Sequence, residues 1–260
     1  MVIFGRGRRR ARRQQLDAGF LPQWRVLLGT RLPYWKWLSG EERDRVEYLA
    51  LDLMVNTRWE AANGFEITDE MRVMIAAQAA ILILELPDDS YRLVRTILVH
   101  PTTVMLHGER HLGGGIMSRE PTPILGLAEH RGPVLITWDT VRNDARHPGT
   151  GHNVVFHEFA HQLDMLDGTV DGTPPLATPE QFDRWVEVCT EVYDRVVAGE
   201  AGASLSSYAG VNPGEFFAVA TEVFFDDPVA LRAEHRDLYG VLCDFYRQDP
   251  AARRRRRVPG

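Results

Sequence analysis

The stretch F-H-E-F-A-H-Q-L-D at 156–164 decides how the rest of the chain is read. His157 and His161 stand four residues apart, one turn apart on one face of an α-helix. Two imidazoles so placed can approach one Zn²⁺ at about 2.0–2.1 Å each. Glu158 follows the first histidine on an adjacent flank, within reach of a metal-bound water rather than of the metal. Val154, Val155, Phe156, Phe159, Ala160 and Leu163 supply the apolar backing that a buried metal helix needs. The plain alternative is two histidines that share a helix face without a metal. The other histidines, such as His152 and His235, show no ligand spacing and read as structural.

Working outward, helices flank this one on both sides. Residues 14–62 read as helical, with a cap at Ser39, and Thr68-Asp69-Glu70 opens an apolar helix that closes near Leu86-Pro87. From 93 to 141 the texture changes to short β-rich runs broken by Pro and Gly, which predict an antiparallel sheet of three to five strands. The His-containing helix runs from Asn153 to about Asp167, where Gly168 stops it. Thr178-Pro179-Glu180-Gln181 is a capping box that starts a helix to about Ala198. Further helices are expected over 213–225 and 228–247. The expectation is an α+β fold, mostly helical, in one domain over 15–250 with a small antiparallel sheet.

Two imidazoles do not complete a catalytic zinc site, which takes three protein ligands and an open position. Four carboxylates compete for the third place. Asp167 lies six residues past His161, as in one zincin pattern, but that pattern turns on a glycine where this chain has Asp164. Glu180 has a spacing near that of thermolysin-like enzymes, yet it belongs to a capped first turn. Glu215 and Glu222 are seven residues apart, about 10.5 Å along a helix, so one zinc cannot take both. Among Phe216, Phe217 and Val219, a carboxylate at 215 is costly to bury without a cationic partner. A helix-dipole role for that N-terminal carboxylate is the alternative.

Three blocks together carry a family resemblance: H-E-F-A-H-Q-L-D, S-Y-A-G-V-N-P-G-E-F-F-A-V-A-T-E-V-F-F, and upstream I-T-D-E-M-R-V-M-I-A-A-Q-A-A. From about residue 15 to 247 the chain resembles the Mlc titration factor A family of zinc-dependent peptidases. The second block also resembles lethal-factor-type toxin proteases, in which a tyrosine stands seven residues before the ligand glutamate, as Tyr208 stands before Glu215. The resemblance implies a zincin-like metallopeptidase with one Zn²⁺ per chain held by His157, His161 and Glu215. It implies that Glu158 activates water and that Tyr208 donates to the oxyanion. Glu222, two turns further on, is then left to hydrogen-bond a ligand imidazole. The implied activity is of aminopeptidase type on a peptide substrate, together with binding of a transcriptional repressor. A regulatory binding protein that sequesters a transcription factor is the rival reading. A closed structural zinc site would need a fourth His or Cys at a plausible spacing, and the sequence has none there.

Composition agrees with this frame. A net charge of −6 argues against nucleic-acid binding by the core. Eleven arginines crowd 5–13 and 251–257, so 1–14 and 251–260 read as solvated, disordered basic tails. Cys189 and Cys243 are the two cysteines, too few for a disulfide framework, and the cytoplasm is the expected compartment. The longest apolar stretch, 74–86, is too short to span a bilayer and carries Gln78 and Glu85.

Overall fold

The apolar helix that starts at Thr68 and the two strands that flank it in sequence set the frame. A computed structural model describes residues 16, 18–62, 64–102 and 132–255, and the backbone of four short strands between 104 and 124. The expected tail 1–14 lies outside the described residues.

The chain runs through α1 (Pro22–Arg31) into α2 (Gly40–Asn56), which a capping box starts. The Ser39 hydroxyl accepts from the Glu42 amide and the Glu42 carboxylate accepts from the Ser39 amide. Strand β1 (Arg58–Ala61) follows, then α3 (Asp69–Leu82), capped by Thr68, and β2 (Thr96–His100). Two small ladders come next: β3 (Val104–Leu106) pairs with β6 (Thr122–Ile124), and between them β4 (Arg110–His111) pairs with β5 (Met117–Ser118). Strand β7 (Val134–Thr137) closes this part of the chain.

The sheet that backs the His-containing helix has the order β1-β2-β7, and both its ladders are parallel. This corrects the antiparallel expectation, which holds only for the two small ladders. The cause lies in β1. Its four residues R-W-E-A sit inside the segment read as helical, and without them α3 is not visible as the crossover of a βαβ unit. Strand β2 is central and alternates, with Ile97 and Val99 fully buried.

Helices complete the domain: α4 (Trp138–Arg146), α5 (Val154–Asp164), α6 (Pro179–Val197), α7 (Pro213–Asp226), α8 (Pro228–Glu234), α9 (Arg236–Tyr246) and α10 (Pro250–Arg255). Helix α5 packs on α7, on α3 and against β7. Its last turn tightens into a 3₁₀ segment, Met165–Asp167, that Gly168 ends at φ 100°. The helix expected over 228–247 is two, because His235 leaves helical geometry and bonds the Ala201 carbonyl through Nε2 at 2.7 Å. The basic stretch from 251 is helical to Arg255 rather than a free tail. Arg253 donates to Glu42 at 2.7 Å, and the Arg254 guanidinium lies 4.2 Å from the centre of the Trp37 ring.

Candidate metal centre

Two capped helix starts aim the site. Asn153 caps α5, its Oδ1 accepting from the Phe156 amide at 3.0 Å. Asn212 caps α7 in the same way, accepting from the Glu215 amide at 3.0 Å. Apolar contact then presses the helices together, with the Phe156 and Phe225 rings 5.5 Å apart. Gly172 lets a loop approach the start of α7 closely: at φ 77°, a Cβ there would stand 2.3 Å from the Pro213 carbonyl oxygen. That loop is tied back to α5, since Asp164 accepts from the Gly172 amide at 3.0 Å.

The packing brings His157, His161 and Glu215 together, with one potential ligand atom of each within 4.8 Å of the others. Glu215 Oε2 faces His157 Nε2 at 3.1 Å and His161 Nε2 at 3.6 Å. The two Nε2 atoms themselves are 3.2 Å apart. Asp167 and Glu180 take no part. Both are exposed, and Asp167 accepts from the Thr169 amide and hydroxyl instead.

The electrostatics of this cluster suit a cation. His157 Nδ1 lies 2.7 Å from Glu222 Oε1 and donates to it, which leaves the Nε2 lone pair of the neutral ring directed at Glu215. Glu215 Oε2 is buried without a well-formed hydrogen bond. Lone pairs therefore converge from three sides, an arrangement that only a proton or a metal ion reconciles. In the metal-free chain a proton does so. Burial alone would lower His157, but its bonds to Glu215 and Glu222 outweigh burial and hold it well above its ordinary range. Burial would likewise raise Glu215, and the two imidazoles instead hold it well below the usual carboxylate range. Burial lowers His161. Two imidazoles and a carboxylate are a donor set that suits zinc, and the residues fit the ion.

Glu158 is 1% exposed, and its Oε1 has no hydrogen-bond partner. Burial, with the negative charges of Glu215 and Glu222, pushes it up to about 8. Tyr208 sits on a 3₁₀ turn, Ser207–Gly210, with its ring centre 6.1 Å from that of His157. Burial and the charges of Glu215 and Glu158 push its phenol above its ordinary value, so it stays a hydrogen-bond donor.

Behind the cluster stands a polar scaffold of which the sequence foreshadows only the contact of Glu222 with a ligand imidazole. Glu222 Oε2 accepts from the Asn153 amide at 2.6 Å, so one carboxylate orients both the imidazole and the start of α5. Asp226, one turn further along α7, accepts from the Gly149 and Gly151 amides at 2.9 and 2.8 Å and from the Tyr34 hydroxyl at 2.5 Å. Asn153 Nδ2 reaches Tyr34 Oη and Gln78 Oε1. Asp144 accepts from the Val154 amide and holds His152 Nδ1 at 3.2 Å. His152, read as structural, lines a pocket of about 260 Å³ beside His157 and Tyr208. A larger cleft of about 530 Å³, near Asn56 and Arg95, shares no residue with the cluster.

Comparison with known proteins places the chain in a family. The family described as glucose-regulated metallo-peptidase M90 matches residues 6–247. An uncharacterised protein of Synechocystis is 36% identical over 233 residues, covering 88% of this chain and 85% of its own length. Mlc titration factor A of Yersinia enterocolitica is 29% identical over 248 residues, covering 93% and 91%. The Yersinia pestis protein of that name is 29% identical over 246 residues, covering 92% and 89%. Agreement over that much of the chain shows that it belongs to the glucose-regulated metallo-peptidase M90 family, the family to which its likeness to Mlc titration factor A pointed.

Proposed function

We propose that this chain is a zinc-dependent, zincin-like metallopeptidase of aminopeptidase type, with one Zn²⁺ held by His157, His161 and Glu215. The observation that carries the reading is the convergence of those three ligand atoms beside a buried carboxyl with an unpartnered oxygen. Zinc held there supplies Lewis acidity, acidifying water and polarising a carbonyl. Glu158 Oε1 takes the proton from the attacking water and returns it to the leaving amine. The burial and neighbouring negative charges that raise this carboxyl in the metal-free chain would be offset by a zinc ion beside it, leaving it able to accept the proton. Tyr208 keeps its phenolic proton and donates it as a hydrogen bond to the developing oxyanion. Glu222 holds His157 in the tautomer that presents Nε2. Cys189 and Cys243 are free thiols, in keeping with a cytoplasmic setting. Among the described residues, no helix is long and apolar enough to cross a membrane.

The test pairs metal analysis with turnover. Purified protein should carry about one zinc per chain, and a chelator should abolish hydrolysis of aminoacyl and peptide substrates until zinc is restored. Tyr208→Phe should keep the metal and lower kcat more than it changes KM. Full activity without metal, or an unchanged kcat in the phenylalanine variant, contradicts the respective assignment.

A second reading has its own support in the relatives named Mlc titration factor A. Under it the chain binds a transcriptional repressor of the Mlc kind, and hydrolysis is secondary. Co-purification with such a repressor, kept by Glu158→Gln, separates binding from catalysis.

A further inference from the structure

The pocket of about 260 Å³ beside the ligand cluster is built by the same helical spacing that builds the cluster. Val154 stands three residues before His157, and Val219 stands four after Glu215 and three before Glu222. Those spacings stack each valine on the ligand-bearing face of its helix, so α5 and α7 contribute one apolar wall each. Ser206 and Tyr208, from the turn before α7, close the space. Val154 and Val219 are 2% and 4% exposed. The charged groups at its edge are already engaged: Glu222 with His157 and the Asn153 amide, His152 with Asp144. Such a pocket selects by shape and apolar area rather than by charge.

Size fixes the class of occupant. An apolar cavity of about 150 Å³ admits benzene, so this one has room for a phenyl ring or a branched aliphatic side chain and is poorly filled by a methyl group. Because His157 and Tyr208 belong to both the pocket and the candidate centre, whatever fills the pocket lies next to the reacting bond. We propose that this pocket receives a bulky apolar side chain, of the leucine or phenylalanine class, from a residue flanking the scissile bond. Val154 and Val219 set that preference. The inference rests on the peptidase reading for its consequence and on the pocket alone for binding.

Two readouts keep those apart. In metal-loaded protein with ¹³C-methyl valines, titration with N-acetyl-phenylalanine amide or N-acetyl-leucine amide should shift the Val154 and Val219 methyl resonances, and N-acetyl-glycine amide should not. In turnover, peptides with leucine or phenylalanine on one side of the cleaved bond should exceed their alanine counterparts by about tenfold or more in kcat/KM, the scale of a well-filled apolar pocket. Val219→Phe should abolish the shift of the remaining Val154 methyl resonances and that preference, and Val219→Ala should move the preference toward tryptophan. The alanine variant carries the test if the phenylalanine variant does not fold. Methyl shifts with no peptide hydrolysed by any variant would sink the peptidase reading and leave the pocket standing. Hydrolysis with no side-chain preference on either side of the bond, and no methyl response, would overturn the pocket.

Discussion

Helices α2 and α3 in the N-terminal half, and α5 and α7 in the C-terminal half, bury comparable faces with opposite chemistry. Helix α3 hides Val73, Ile75, Ala76, Ala77, Leu82 and their neighbours, and its buried polar side chain is Gln78. Helices α5 and α7 hide His157, Glu158, His161, Asp164, Glu222 and Asp226. In the first pair most buried groups need only shape complementarity; the exceptions are Glu47 of α2, which Arg25 pairs at 2.6 Å, and Gln78, which bonds the Met74 carbonyl and Asn153. In the second each buried charge must find a partner, since an unpaired one costs several kcal/mol. Glu222 and Asp226 find theirs in backbone amides, an imidazole and a phenol. Glu158 keeps an oxygen with none, Asp164 Oδ1 is unpaired as well, and Glu215 Oε2 meets only the two imidazole nitrogens, without a well-formed hydrogen bond. The grouping of Glu215 with His157 and His161, more than any single unpaired oxygen, marks where a ligand belongs.

Substitutions on each side should therefore fail in different ways. The largest effect belongs to Glu158→Gln, which should lower kcat by about 10²–10⁴-fold while zinc content and fold are kept. Steady-state kinetics with metal analysis checks this, and an unimpaired glutamine variant would remove Glu158 from the base role. Ile75→Ala, on the apolar side, should cost about 2–5 kcal/mol in chemical denaturation, with kinetics of the folded enzyme unchanged. A smaller cost would mean that α3 repacks. Glu222→Gln should weaken zinc by about 10–100-fold, because the imidazole loses the group that orients it. Competition against a chelator reads that loss, and an unaltered affinity would break the link between Glu222 and His157.

Two pH effects are smaller. His157 carries a proton in the metal-free chain well above its ordinary range, and zinc must displace it. Zinc affinity should therefore rise with pH, with protons released on binding, and calorimetry in buffers of different ionisation enthalpy measures that release. Asp164 is pushed up to about 6 by burial, from 3.8. A carboxyl raised on folding holds more protons in the native than in the unfolded state between those values. Its contribution to stability is thus present at low pH and is lost as pH rises from about 4 to 6. Relative to wild type, Asp164→Asn should gain across that window, by about 2–4 °C in Tm for each kcal/mol. A pH-independent difference would contradict the assignment to Asp164.

The polar side of this comparison was partly legible in sequence, and the sheet was not. His157, Glu158 and His161 stand out because a metal-ligating pair and helix periodicity would share one short spacing. Caps at Ser39, Thr68 and Thr178 are likewise local, and the structure has them. Parallel pairing is not local: β1 meets β2 across α3, and nothing within R-W-E-A points to that partner. The scaffold behind the site was hidden for the same reason. Tyr34 and Asp226 touch across 192 residues, and Asn153 looks like an ordinary cap until Glu222 is seen to accept its amide. His152 has no ligand spacing because it lines a pocket rather than joining the cluster.

The central claim is that Glu215, brought beside His157 and His161 by the packing of α7 on α5, completes a zinc site. A zinc titration of the metal-free protein and of Glu215→Ala and Asp167→Ala variants tests it most directly. The account predicts one tight site in the wild type, near-normal binding in Asp167→Ala and a sharp loss in Glu215→Ala, with folding of each variant verified by circular dichroism. Retention of tight zinc by folded Glu215→Ala would contradict it.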